Sequence, residues 1–219
     1  MPRLLFEKTG NAVWISHLDL MRLMQRAFKR AGLPLKHSQG YNPRPMVSIA
    51  MPLSVGVESV CELLDFELEG CALTNPEIKE RLNKTLVDGI YVRHVYDNAQ
   101  KIKNLAYLQA VVTLEYDKGI SGENVQRIRD LFAQDSINVE KKGKSGPTQQ
   151  DIIPMIKKLE VTQPDNHTEE LQALVCCQNP SLNPMLLMTA INTYLPDLTA
   201  DHGTCKRAEI YDINNHLFR

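Results

Sequence analysis

Two short stretches of the chain hold most of the side chains that can bind anions or move protons. The first carries His17 and Asp19, and the second runs Lys36-His37-Ser38-Gln39-Gly40-Tyr41-Asn42-Pro43-Arg44-Pro45. A loop stiffened by Pro43 and Pro45 holds Asn42 and Arg44 in place at small entropic cost. Arg44 and Lys36 can make charge-assisted bonds to phosphate. Tyr41 offers a ring face for an unpaired base. A helix start near Asp19 adds free N–H groups and a partial positive charge that also suit phosphate. The chemistry is that of a site for single-stranded RNA or another phosphate-bearing ligand.

Each residue also has a plainer role. His17 can bond the backbone at the helix start, and Asp19 can complete a capping box. Ser38 and Asn42 are common turn formers, Gly40 meets a backbone requirement, and Tyr41 can plug the edge of a core. His17 and Asp19 lie two apart, so on a helix they do not face each other and form no dyad. His37-Ser38 has no third, orienting residue that spacing can place. Glu58, Glu62, Asp65 and Glu67 form an acidic strand segment, but nothing in their spacing fixes a metal geometry. There is no P-loop and no GxGxxG. Five cysteines, none in a CxxC or CxxxCxxC, argue against a disulfide scaffold, a zinc ribbon or a radical-enzyme cluster site. No cofactor and no metal are expected.

The elements that must hold these residues follow from local pattern. Arg3–Lys8 reads as a strand. Ser16 and Asp19 have capping-box spacing, and a helix runs from there to Ala31, with Gly32 just beyond and Pro34 after it. At 100° per residue, Leu20, Leu23, Met24, Ala27 and Ala31 gather on one side, and Arg22, Arg26, Lys29 and Arg30 on the other. Strands are expected at Met46–Met51, Val60–Leu68 and Ile90–Tyr96. Thr74-Asn75-Pro76 opens a helix to about Leu86. The second half repeats the order: strand Leu108–Tyr116, a helix from Ser121 to about Ala133, and extended segments Ile137–Lys142 and Ile152–Val161 around a polar loop, Gly143–Gln150. A strand at Leu171–Gln178, a helix Met185–Leu195 after Asn183-Pro184 and a strand Lys206–Ile213 complete it. The expected fold class is α+β: two tandem ferredoxin-like (split βαβ) units with antiparallel sheets, residues 1–98 and 106–219, joined by a linker at about 97–105.

The formal net charge is −1, yet residues 1–50 carry +6 and residues 51–100 carry −5. A concentrated basic segment recruits phosphates more than the total charge suggests. A second basic group, Lys141, Lys142 and Lys144, sits in what reads as a mobile hairpin suited to clamping a polyanion. No apolar run approaches the roughly 18 residues that cross a bilayer, and the start lacks a signal-peptide core. A cytoplasmic protein without membrane contact is expected.

The run Ile15-Ser16-His17-Leu18-Asp19-Leu20, the segment Arg26–Gly32, the SxGYNPxP run from Ser38 to Pro45, and Pro52–Ser59 with Glu62 resemble the radical SAM-linked family of unknown function, the DUF2344 domain. Lys141–Lys144, Asp151–Pro154 and Asn183-Pro184 are similar to its later motifs. The resemblance implies that His17, Asp19, Ser38, Gly40, Tyr41, Asn42, Pro43, Pro45 and Glu62 form the motif site. It also implies a radical SAM protein as partner, because the domain occurs fused to or encoded beside one, often near a ribonuclease of the E/G type.

Together these readings point to an accessory RNA-binding module, non-catalytic alone, that acts with a radical SAM partner in RNA modification or processing. Its phosphate contacts are expected from Arg22, Arg26, Lys29, Arg30, Lys36, Arg44, Lys141, Lys142 and Lys144. The rivals are a protein-docking subunit without RNA contact, and an endonuclease-like enzyme using His17 or His37 as acid or base.

Overall fold

The RLLFEK stretch forms strand β1 (Arg3–Lys8). In a computed structural model, residues 1–70, 72–97, 100–143 and 146–219 are described, with backbone alone at 141–143. The chain is mixed α+β and divides into two compact units, Met1–Asn104 with Arg219, and Leu105–Phe218. No helix among the described residues is long and apolar enough to cross a membrane.

After β1 the first unit continues with a 3-10 turn, Gly10–Trp14, then α1 (His17–Arg30), β2 (Val47–Ala50), β3 (Glu58–Phe66), α2 (Asn75–Asn83) and β4 (Ile90–Tyr96). Its strands run in the order β4-β1-β3-β2, with every neighbouring pair antiparallel. α1 starts where sequence places it: Ser16 Oγ accepts from the Asp19 N–H at 3.2 Å. Its apolar stripe, Leu20, Met24, Ala27 and Phe28, is buried against Leu4, Phe6, Leu64, Phe66 and Val92 of the sheet. Phe28 and Phe66 meet with ring centroids 5.1 Å apart. Each fully buried side chain of this size contributes about 1.5–3 kcal/mol before entropy is charged against it. α2 opens with Glu77 accepting from the Thr74 N–H at 2.8 Å and from its hydroxyl at 2.7 Å, and Pro76 lies in its first turn.

Among the described residues of the first unit, three charged side chains go inside. Arg3 is 2% exposed, Lys8 1% and Glu62 0%. Arg3 pairs with Asp65 on the adjacent strand. The Lys8 ammonium donates to the Val13 carbonyl at 2.9 Å; burial lowers its pKa, and the nearby Glu62 charge opposes that shift.

Asn83, the last residue of α2, clamps the outer strand. Its amide donates to the Val92 carbonyl at 3.0 Å, and its carbonyl accepts the Val92 N–H at 2.8 Å. Asn83→Ala strands both backbone groups and is expected to cost about 1–2 kcal/mol, read as a lower urea midpoint. A midpoint unchanged from the parent would mean that water replaces the clamp without loss.

The second unit contains β5 (Leu105–Glu115), α3 (Gly122–Phe132), β6 (Asn138–Gly143), β7 (Gly146–Asp151), β8 (Ile156–Thr162), β9 (Thr168–Cys176), α4 (Met185–Tyr194) and β10 (His202–Asp212). Its main strands run β10-β5-β9-β8, again antiparallel at each pair. β6 and β7 form a separate hairpin. The expected polar loop at Gly143–Gln150 is therefore mostly strand. GPTQQD carries no apolar alternation, so only its backbone pairing with β6 makes β7 a strand. The expected strand at Ile152–Val161 begins late, because Ile153–Met155 forms a 3-10 turn around Pro154. On β9 the inward row reads Glu169, Leu171, Ala173, Val175, all buried.

Candidate nucleic-acid interface

α1 presents the predicted basic face to solvent: Arg22, Arg26, Lys29 and Arg30 are all exposed. They are not equally available. The Arg30 guanidinium donates to the Thr85 carbonyl at 2.8 Å, which ties α1 to the turn after α2. Arg22 pairs with Asp19 at 2.9 Å, with both side chains more than 60% exposed. Such a surface pair is weak, so Arg22 can exchange partners at little cost. Among the described residues, nothing engages the side chains of Arg26, Lys29 or Arg44.

The loop after α1 folds back as a narrow hairpin. The Met46 N–H donates to the Lys36 carbonyl at 2.7 Å, and the Ser38 N–H to the Arg44 carbonyl at 2.9 Å. Ser38 Oγ then accepts from the Arg44 N–H at 3.0 Å. His37 and Pro45 face each other in an antiparallel bridge. Lys36, at the base, pairs with Glu67 at 3.0 Å. Gly40, Tyr41, Asn42 and Pro43 form the exposed tip. The Tyr41 ring is uncovered, at 107% relative exposure, so it plugs no core edge.

α1 and the base of this hairpin share a groove of about 910 Å³. Arg22, Arg26 and Lys29 form one wall, and His37 with Pro45 the other. Leu33 and Leu35 lie beneath it and are almost wholly covered, Pro34 and Pro45 give it apolar surface, and Glu69 places one carboxylate at the lining. The groove is hidden in the sequence, though the run Leu33-Pro34-Leu35 is its trace.

The structure separates residues that sequence alone had grouped. His17 and Asp19 sit at the start of α1 and do not line the groove. Lys29 lies twelve residues further along the helix, roughly 18 Å by helical rise. Nor is the helix start an open anion site. Ser16 caps it, and Asp19 adds a negative charge there. The Ser16 hydroxyl, and next Arg22, hold the Asp19 carboxyl below its usual pKa. Nδ1 of His17 is buried with no partner among the described residues, and Asp19 is engaged by Ser16 and Arg22 instead. Glu62 is on the inner face of the sheet beside Lys8, not at the hairpin. The acidic segment of β3 is likewise dispersed: Glu58 accepts from the Gly10 N–H, Asp65 faces Arg3 and Glu67 faces Lys36. Among the described residues no cluster suited to a metal ion occurs.

Of the second basic group, the Lys141 and Lys142 side chains and all of Lys144 lie outside the described residues. The pair β6–β7 is anchored at its base. The Tyr194 hydroxyl donates to the Asn138 carbonyl at 3.0 Å, and Asp151 accepts from the Ile137 N–H at 3.0 Å.

A family model described as an uncharacterised protein conserved in bacteria, DUF2344, matches residues 2–184. No curated protein matches the chain. Among solved structures, a chain in a crystal structure of a Cbf5-Nop10-Gar1 complex aligns with TM-score 0.54 and 9% identity over 95% of this chain and 48% of that one. A chain in an H/ACA RNP bound to a substrate RNA containing 2′-deoxyuridine aligns with TM-score 0.50 and 8% identity, over 94% and 46%. The chain thus spans about half the length of those it matches, and the likeness is one of fold.

Proposed function

The chain belongs to the DUF2344 family of uncharacterised bacterial proteins, and on that footing we propose that it is an RNA-binding accessory module, without catalysis of its own, serving a radical SAM partner in RNA modification or processing. One observation carries the RNA part. Arg26 and Lys29, with no partners among the described residues, line a groove whose far wall is the base of the hairpin that bears Arg44. Unengaged cations around a concave surface are what a phosphate backbone needs, since each contact releases counterions.

The fold agrees with this reading. We take each unit, residues 1–98 and 106–219, to be ferredoxin-like. The βαββαβ element order and the strand orders β4-β1-β3-β2 and β10-β5-β9-β8 support that assignment, with β6–β7 an insertion in the second. A chain of related fold in a ribonucleoprotein bound to RNA is consistent with an RNA partner. The radical SAM partner rests on the SHLD run at Ser16–Asp19 and the SxGYNPxP run at Ser38–Pro45.

Filter binding of cellular RNA across a salt series tests the proposal. Arg26→Ala and Lys29→Ala are each expected to weaken binding severalfold and to flatten the plot of log affinity against log salt by about one unit per lost phosphate contact. Arg30→Ala, whose guanidinium holds Thr85, should change the slope little. Absence of any binding at low salt by the parent protein would refute the proposal.

A further inference from the structure

Tyr41 is a large aromatic side chain with no covering atoms, carried on a rigid hairpin tip. Pro43, Pro45 and the paired bonds between Ser38 and Arg44 hold that tip before any ligand arrives. With the backbone held, binding orders only the two side-chain torsions of the ring. His37 and Pro45 both close the hairpin and line the groove, so Tyr41 is carried on the hairpin whose base walls the groove. Arg22, Arg26 and Lys29 line the groove on α1, Arg44 is exposed on the hairpin outside that lining, and Pro34 and Pro45 give the groove apolar surface.

We infer that this surface takes single-stranded RNA, with one unpaired base stacked on Tyr41, a neighbouring base over Pro34 and Pro45, and the phosphates held by Arg44, Arg26 and Lys29. The inference rests on the RNA reading above and narrows it. In a duplex, bases already stack on each other, so Tyr41 would meet only sugar and phosphate. A duplex would also lay phosphates over the apolar rings of Pro34 and Pro45. Glu69 points the same way: its carboxylate repels a phosphate but accepts from an exocyclic amine, which an unpaired base can turn outward. Stacking is tolerant of sequence, because every base has a π-face.

The test uses the full chain and two probes, a dye-labelled oligocytidylate of about twelve nucleotides and the same strand annealed to its complement. At matched salt the single strand is expected to bind at least tenfold tighter, by roughly the strength of one or two stacked bases. Tyr41→Ala should lose about tenfold on the single strand, leave the duplex unchanged and keep the salt slope, while Tyr41→Phe retains affinity. Equal affinity for the two probes, or a Tyr41→Ala variant that binds like the parent while Arg26→Ala still lowers the slope, would overturn the single-strand inference and leave the RNA reading standing. If neither probe nor cellular RNA binds the parent, both fall, and the groove belongs to an apolar protein segment instead.

Discussion

Glu169→Gln is expected to make the protein more stable than its parent above about pH 8, by on the order of 3 kcal/mol, and to flatten its stability across the neutral range. Glu169 is fully buried in the inward row of β9. Burial pushes its pKa from 4.5 up to about 7. Two groups oppose the shift without cancelling it. The Tyr116 hydroxyl donates to Oε2 at a long 3.4 Å. The Arg129 guanidinium donates to the Val161 carbonyl, at 2.9 Å for its closer nitrogen, so its charge is shared. The other carboxylate oxygen has no partner among the described residues. The folded value lies above the unfolded one, so the folded state holds the proton more tightly. The stability this adds is fully present below about pH 4.5 and is lost as pH rises through about 7. Below about pH 5 the variant and its parent should agree within about 1 kcal/mol, the cost of an imperfectly bonded amide. Urea midpoints measured from acid to alkaline pH decide it: a parent protein whose midpoint does not fall between pH 5 and 8 would show Glu169 ionised at no cost.

Gly89→Ala is expected to destabilise the first unit by roughly 3 kcal/mol or more, combining backbone strain with a steric clash. Gly89 has φ +82°, and an added Cβ would lie 2.3 Å from the Thr9 carbonyl oxygen and 2.9 Å from the Ala12 Cβ. Neither neighbour is the end of a flexible side chain. Thr9 is also held in place, because its N–H donates to the Gly89 carbonyl at 2.8 Å. Gly70→Ala is the control: φ is +59° and nothing lies within 4 Å of the new Cβ. It carries the dihedral cost alone, about 1 kcal/mol. Equal losses of urea midpoint in the two variants would mean that the backbone at Thr9 yields to the new methyl group.

Local chemistry made the helix ends readable. Ser16, Asp19 and Gly32 bound α1 as their spacing predicts, and Thr74 with Glu77 opens α2, because capping involves residues three or four apart. The outward basic face of α1 follows from helical period alone. Contacts between distant segments were hidden. Strand period places Arg3 and Lys8 on β1, but their burial depends on Asp65, 62 residues away, and on a carbonyl of the intervening turn. β7 leaves no trace in its side chains, because backbone pairing, not side-chain burial, makes it a strand. Nor does the sequence reveal where the Pro-rich hairpin lies relative to α1. The chain leaving Gly32 returns alongside the end of β3, where Leu35 bridges Leu68 and the Lys36 N–H donates to the Glu67 carbonyl at 2.9 Å. That long-range register puts the hairpin at the C-terminal half of α1 and leaves His17 at the opposite end.

The clamp that Asn83 places on Val92 has a consequence for how copies of this protein meet in a crowded solution. A bare outermost strand offers a ladder of open donors and acceptors that a second polypeptide can zip onto, the first step toward sticky aggregates. Here one inner rung, at Val92, is already taken by a side chain of the same molecule. An invading segment would have to unseat two bonds there before forming its own, so strand-to-strand stacking along this rim is interrupted.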